Sequence, residues 1–301
     1  MATKFDRRYV LKVDVDPTTV TSGEPVPQST ETITLPYTCE FSMSRQVLAA
    51  SSDITIRIFN LNESTRTRLY KDPYWPMSKR FLEFSAGYAD FPLPRIFYGL
   101  LLSCTSYRDG VNSITEFQAT SMAFDAPLAD ENLNLPPGQT AAQILRLLNA
   151  KMPGINPKPL IGPSFDKIIY PGPYAHMGKV WQAIRMVSNG FAIVDNNTVV
   201  ALNDNEAVAA PIPVLNSSSG ILNTPKRGQF GAEVSMIFEP RLTMQQVVQL
   251  DSSFNTNLNG TYKVYGFKHA GTISPRVCGT LTTDATLFRP GLNYNPFIVT
   301  Q

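Results

Sequence analysis

Asp53-Ile54-Thr55-Ile56-Arg57-Ile58-Phe59-Asn60-Leu61 decides how the rest of this chain reads. The three isoleucines fall on one face and Thr55 and Arg57 on the other. This is the period of a half-buried strand, whose successive side chains point to opposite sides. The pattern extends in both directions. Tyr9, Leu11, Val13 and Val15 share a face against Arg8, Lys12 and Asp14, and Leu82, Phe84 and Ala86 follow suit. Arg95 to Tyr107 reads as a long apolar strand broken by Gly99, and Ser113 to Met122 returns after Arg108-Asp109-Gly110. Asp-Gly between two such runs is a hairpin signal. An antiparallel sheet or barrel is expected from the start to about Asp125.

The middle changes character. After Pro136-Pro137-Gly138, Thr140 with Gln143 three residues on forms a capping box at a helix start. Ala141, Ile144, Leu145 and Leu148 then recur at helical spacing. Pro153, Pro157, Pro159 and Pro163 make a rigid, non-helical connection. A second helix is expected from about His176 to Ser188, with Met177, Val180, Trp181, Ile184 and Val187 on its buried side and Asn189-Gly190 as its stop. Phe191 to Val194 and Thr198 to Leu202 form a hairpin around Asn196-Asn197.

From Ala207 the β pattern resumes: Ala232 to Phe238 alternates, Val247 to Leu250 is apolar, and Thr261 to Lys268 and Val277 to Leu287 are further strands. The two β regions read as one unit used twice. Each has an alternating strand, a second strand, a long strand carrying a Gly (Ile96 to Gly99, and Val264 to Gly266) and a return strand rich in Thr and Ser. The fold class expected is mainly β with a small α/β middle domain: two related antiparallel β-barrels in tandem. The domains are 1–127 (a tube-like barrel), 128–206 (the α/β unit) and 207–301 (a second tube-like barrel).

The 301 residues are enough for more than one hydrophobic core. Only 17% are charged, with 24 Pro and 17 Phe, which suits many strands and turns and much surface covered by neighbours. A formal net charge of +2 without clustered basic residues excludes a chain built to hold nucleic acid through its phosphates. The three cysteines, Cys39, Cys104 and Cys278, are far apart and lack any C-x-x-C, so reduced thiols are expected and not a disulfide scaffold or a zinc site. No signal peptide is read at the start, and no apolar run approaches the ~20 residues of a membrane helix.

Residues for chemistry are few. His176, at the expected helix start, and His269, at a strand end, are the only histidines, and no G-x-S-x-G elbow accompanies them. Asp14 and Asp16, and Asp204 and Glu206, are close carboxylates, but neither pair matches a calcium loop, and solvated turn carboxylates are expected. No phosphate-binding glycine motif occurs. No catalytic, cofactor-binding or metal residue is assigned, and no cofactor is expected. One segment, Lys71-Asp-Pro-Tyr-Trp-Pro-Met-Ser-Lys79, carries Tyr74, Trp75 and Met77 between prolines. Trp, Tyr and Met are enriched at protein contacts, so it reads either as a partner contact or as a loop folded back on its own barrel.

Taken in order, Asp53 to Ser64, Phe84-Ser-Ala-Gly-Tyr88, Ile96-Phe-Tyr-Gly99, Ala119 to Asp125, Asn189-Gly-Phe191, Gly220 to Pro225 and Phe238-Glu-Pro-Arg-Leu242 resemble the baseplate hub proteins of contractile bacteriophage tails. The family also has non-contractile relatives. The resemblance implies two tube-type barrels per chain with smaller inserted domains, and a homotrimer. Three two-barrel chains make a pseudo-six-fold ring, which meets a hexameric tail tube protein on one side and a trimeric spike protein on the other. Other baseplate proteins surround it, and DNA passes through the lumen without sequence-specific binding. The implied location is the virion tail baseplate, after synthesis and assembly in the host cytoplasm. Hydrolase activity, carried in some hub assemblies by an appended domain, is not implied here. Competing readings are another tail ring (a distal tail or tube-initiator protein), a cell-wall hydrolase with a cleft in the middle domain, and a carbohydrate-binding β module built on Tyr74 and Trp75.

Overall fold

The computed structural model describes residues 6–16, 29–47, 51–74, 79–121, 129–276 and 279–300. The first β region comprises β1 (Arg7–Asp14), β2 (Thr30–Thr34), β3 (Cys39–Gln46), β4 (Asp53–Phe59), α1 (Glu63–Leu69), β5 (Phe81–Tyr88), β6 (Arg95–Asp109) and β7 (Asn112–Thr120). Ile54, Ile56 and Ile58 are buried on β4, as the alternation requires. β6 is not broken at Gly99. The strand runs through it, because a Cβ there would lie 2.1 Å from the Thr120 carbonyl oxygen, so Gly serves a close approach of backbones. Gly110, at φ +58, makes the expected turn between β6 and β7.

The middle region holds β8 (Asp130–Leu135), α2 (Ala141–Ala150), β9 (Leu160–Ile161), β10 (Tyr174–Lys179), α3 (Val180–Val187), β11 (Ala192–Asp195) and β12 (Thr198–Ala201). The capping box of Thr140 and Gln143 is present. The second helix starts four residues later than its periodicity suggests. His176 and Met177 lie on β10, which pairs antiparallel with β8, and Gly178 at φ +127 bars helix continuity there. Met177 is consequently exposed and not on the helix's buried side. At the other end, Asn189 (φ 52) takes the left-handed position, and Gly190 N–H reaches back to Arg185 O. This is a Schellman stop with Asn in the place expected for Gly. Asn196 and Asn197 both have positive φ, 46 and 64, as a two-residue hairpin turn demands. α2, α3, β11 and β12 enclose a core of their own around Leu145, Phe165, Trp181 and Ile184.

The last region holds β13 (Glu206–Val208), β14 (Val214–Leu215), β15 (Lys226–Arg227), β16 (Gly231–Ile237), β17 (Val247–Leu250), β18 (Gly260–Ile273), β19 (Leu281–Phe288) and β20 (Phe297–Val299). One 13-stranded sheet joins first and last regions in the order β15-β16-β19-β18-β3-β4-β7-β6-β5-β1-β2, with β17 on β18 and β14 on β17. Within it the order β4-β7-β6-β5 recurs as β16-β19-β18-β17. The register recurs as well. Asp53 to Phe59 lie opposite Thr120 to Ile114, as Gly231 to Ile237 lie opposite Phe288 to Thr282. Phe81 meets Leu100 as Val247 meets Lys263. Both long strands bulge at the equivalent place, between Leu101 and Ser103 and between Val264 and Gly266. This corrects the residue pairing suggested by the glycines: Gly266 is the counterpart of Ser103, and Gly99 is the counterpart of Tyr262. Both regions contribute to one hydrophobic core. Phe41 stands at 5.0 Å from Phe84 and 6.0 Å from Phe238, ring centre to ring centre, both edge-on.

Candidate functional site: the junction of the repeats

β3 and β18 meet antiparallel from Gln46–Gly266 to Cys39–Ile273, and this ladder is the seam between the two repeats. Along β3 the inward positions read Cys39, Phe41, Met43, Arg45, all buried. An arginine on that face needs a buried partner, because an isolated charge out of water is costly. Arg45 finds it in the middle region. Its guanidinium donates to the Asp195 carboxylate, to Ile96 O and to Asn196 Oδ1, the last at 2.8 Å. Asn196 Oδ1 also accepts from Tyr98 N–H at 3.1 Å. The tip of the β11–β12 hairpin is thereby bolted to β3 and β6. Burial lowers the Arg45 pKa against the opposing pull of Asp195.

Beside this bolt lies a cleft of about 420 Å³ lined by Arg45, Arg95, Pro211, Pro240, Phe267 and His269 among others. His269 is fully buried, and its Nδ1 stands 2.8 Å from Thr283 Oγ1. Phe238 meets its ring edge-on at 5.0 Å, and Phe267 lies at 4.5 Å. Desolvation first, and the nearby Arg45 charge second, push its pKa down to about 3. A neutral imidazole with a threonine partner and no carboxylate is a core residue. His176, on β10, has its Nε2 at 3.2 Å from Lys179 O.

The carboxylates also find structural work. Asp14 accepts from Phe81 N–H at 2.9 Å and so ties β1 to β5. Glu206 is not a solvated turn residue. It is 4% exposed, and its carboxylate accepts from Ser164 N–H and Asn203 N–H at 2.8 and 2.9 Å. Gly162 leaves the room it occupies, since a Cβ there would come within 1.8 Å of Glu206 Oε2. Lys263 donates to Asn203 O and Glu206 O, both at 2.7 Å, and burial pushes its pKa down to about 8. Cys39 and Cys104 are buried free thiols, and Cys278 lies outside the described residues. Among the described residues no group of three or more His, Cys, Asp or Glu side chains could hold a metal ion, and no helix is long and apolar enough to cross a membrane.

Of the aromatic loop, Tyr74 is described, with its N–H donated to Asp72 Oδ1 at 2.8 Å and its side chain 95% exposed. Trp75 and Met77 lie outside the described residues. The loop springs from Lys71, whose backbone pairs with Cys104 and whose ammonium donates to Leu101 O. The seam itself escaped the sequence reading. Cys39 to Gln46 alternates as well as any strand here, and Arg45 among its inward residues marks a buried polar anchor.

Residues 169–271 match the family model described as baseplate hub gp41. They run from β10 through α3 and β11–β12 into the seam. Over the whole chain, the structure is similar to the tail protein of Neisseria meningitidis MC58, at 10% identity and a TM-score of 0.59, covering 96% of this chain and 99% of that one. It is equally similar to the 43 kDa tail protein of prophage MuSo2 from Shewanella oneidensis, at 10% identity and 0.59, covering 98% and 100%. The fold is that of tail proteins. The same tail-protein fold extends to the E. coli c3393 protein, a type VI secretion component described as structurally similar to T4 tail proteins gp27 and gp5. That match has 10% identity and a TM-score of 0.55, covering 87% of this chain and 76% of that one. No curated protein matches the sequence. The resemblance to baseplate hub proteins drawn from the sequence motifs therefore holds.

Proposed function

We propose that this chain is a structural protein of a phage tail baseplate, where it forms the central hub ring that joins the tail tube to the spike. It assembles as a homotrimer around the channel for DNA, contacts other baseplate proteins and catalyses no reaction. Its units are 1–127, 128–206 and 207–301. The first and third act as two related tube-type barrels, so that three copies present six equivalent units to a six-fold tube. The boundary at 127/128 lies outside the described residues. Tyr74, with Trp75 and Met77, serves as a partner contact. The virion is the place of work.

One observation carries this reading: the four-strand unit β4-β7-β6-β5 recurs, residue for residue in register, as β16-β19-β18-β17. A chain that carries the same ring element twice solves a three-to-six mismatch with a single gene product. The hub match over 169–271 gives the same direction. The test is the native mass of the purified chain, with negative-stain images of the same sample. A hollow trimeric ring of six-fold outline is expected. Six copies per ring would assign the chain instead to a distal tail or tube-initiator ring.

A further inference from the structure

β18 is a strand with two partners. Gly260–Lys263 pair with β17, and past the bulge 266–273 pair with β3 of the other repeat. The seam is thus made by the first repeat lending β3, hairpin partner of β4, to the second repeat's long strand.

The shared register identifies the same two parts elsewhere in the chain. β6 is the counterpart of β18, so the counterpart of 266–273 is 103–110. β15 is the counterpart of β3, since Lys226 lies opposite Glu233 on β16 as Ser42 lies opposite Thr55 on β4. The full counterpart of 39–46 is 223–230. Within one chain, these two counterparts do not meet. β15 is the end of the sheet, with Lys226 and Arg227 exposed. Past the bridge from Cys104 to Lys71, no described strand lies against β6 on the side away from β7, and Ser106 to Asp109 are exposed. Among the described residues each chain therefore has one junction made and the two strand edges of an identical junction unpaired.

The backbone directions agree. Cys104 bonds Lys71 on the side away from β7, so strand alternation turns the N–H and C=O of Ser106 and Arg108 to that same open side. Gly228 N–H bonds Gly231 O toward β16, so the amide of Arg227 faces outward.

We infer that the 105–109 edge of β6 takes the 223–230 strand of a second copy in antiparallel pairing, repeating between chains the β18–β3 junction made within each. The inferred register sets Ser106 opposite Arg227, Tyr107 opposite Lys226 and Arg108 opposite Pro225. Pro225, itself buried, supplies only its carbonyl there, and that oxygen also accepts from Asn255 Nδ2 at 3.4 Å within the chain. Asp109 stands diagonal to Lys226, a favourable charge pair across strands. The contact is head to tail, so it closes into a ring when the rotation per copy divides a full turn. It also covers two edges that would otherwise invite uncontrolled strand addition. This deepens the hub reading, on which it rests for the number of copies.

Tyr107 and Lys226 would form a non-hydrogen-bonded pair, whose Cα atoms lie about 4.5 Å apart in antiparallel sheets, within disulfide reach. The experiment is the full chain carrying Tyr107→Cys and Lys226→Cys, oxidised with oxidised glutathione and run on a non-reducing gel, with native mass measured on the same sample. A covalent ladder ending at three chains, absent from each single variant, is expected. A trimer by native mass without a ladder overturns the edge pairing and leaves the hub reading standing. A six-copy ladder upholds the pairing and overturns the hub's copy number. A monomer without a ladder overturns both. A second variant, Ser106→Pro, removes a backbone N–H on the open side and leaves the backbone ladder with β7 intact, with Ser106→Ala as the control for the lost hydroxyl bond to Thr115. It is expected to weaken assembly about tenfold, the effect of losing one net backbone bond, with unchanged circular dichroism. Unchanged assembly would overturn the pairing.

Discussion

His269 is held neutral by its surroundings, and that gives it a signature in pH. Its folded pKa is near 3, whereas the unfolded chain has the ordinary value of 6.5. Below pH 6.5 the unfolded chain takes a proton that the folded chain refuses, so stability falls as pH falls and levels only near pH 3. The loss between pH 7 and pH 5 is about 2 kcal/mol from this group. Urea unfolding at both pH values measures it. His269→Gln is expected to be less stable at pH 7 but to lose about 2 kcal/mol less than wild type on acidification. An identical acid loss in both proteins would place the ionisation elsewhere. Arg45 has the opposite logic: it stays charged inside because Asp195, Asn196 and Ile96 O surround it. The sequence advertised neither residue's role. An Arg in an alternating run finds Asp195 and Asn196 150 and 151 residues on, and a lone His at a strand end finds Thr283 on the neighbouring strand β19.

Among the elements, β6 shows how a glycine is misread from sequence. A Gly inside an apolar run signals a break, yet here the strand runs through it unbroken. At Gly99, the backbone of β7 comes so close that a Cβ would collide with Thr120 O at 2.1 Å and Ser121 Cα at 2.9 Å. Gly99→Ala is expected to destabilise the sheet by about 1–3 kcal/mol, measured by thermal or denaturant unfolding. Gly110→Asn is the contrast. Nothing lies within 4 Å of its Cβ position, and Asn tolerates the left-handed φ of +58, so little change is expected. Equal effects would mean that the β6–β7 approach is looser than its geometry. Most elements were legible because alternation and capping are local. Thr140 with Gln143 started α2 as read. The start of α3 was not, because Met177 fits a helical stripe and only its pairing with Asn132 on β8 turns it into strand.

For the whole molecule, the two β regions share one sheet and one core, and Phe238 of the second region touches rings of the first. It meets Phe41 at 6.0 Å and Tyr88 at 6.2 Å, and its carbonyl accepts the Tyr88 hydroxyl at 3.0 Å. Phe238→Ala is expected to cost about 3–5 kcal/mol. Amide exchange would show protection falling together in β4 and β16. A loss confined to β16 would mean that the regions unfold independently. The sequence by itself determined the strand-rich class, the capped helix, the hairpin turns and the order of the repeated unit. Those depend on periodicity and on turn residues, which act over a few positions. Only the tertiary structure decided the register of the repeat, the seam of β3 on β18, the burial of Glu206 and the anchoring of Arg45. Strand partners and buried charges are chosen by which distant surfaces exclude water together, and no local pattern of side chains carries that information.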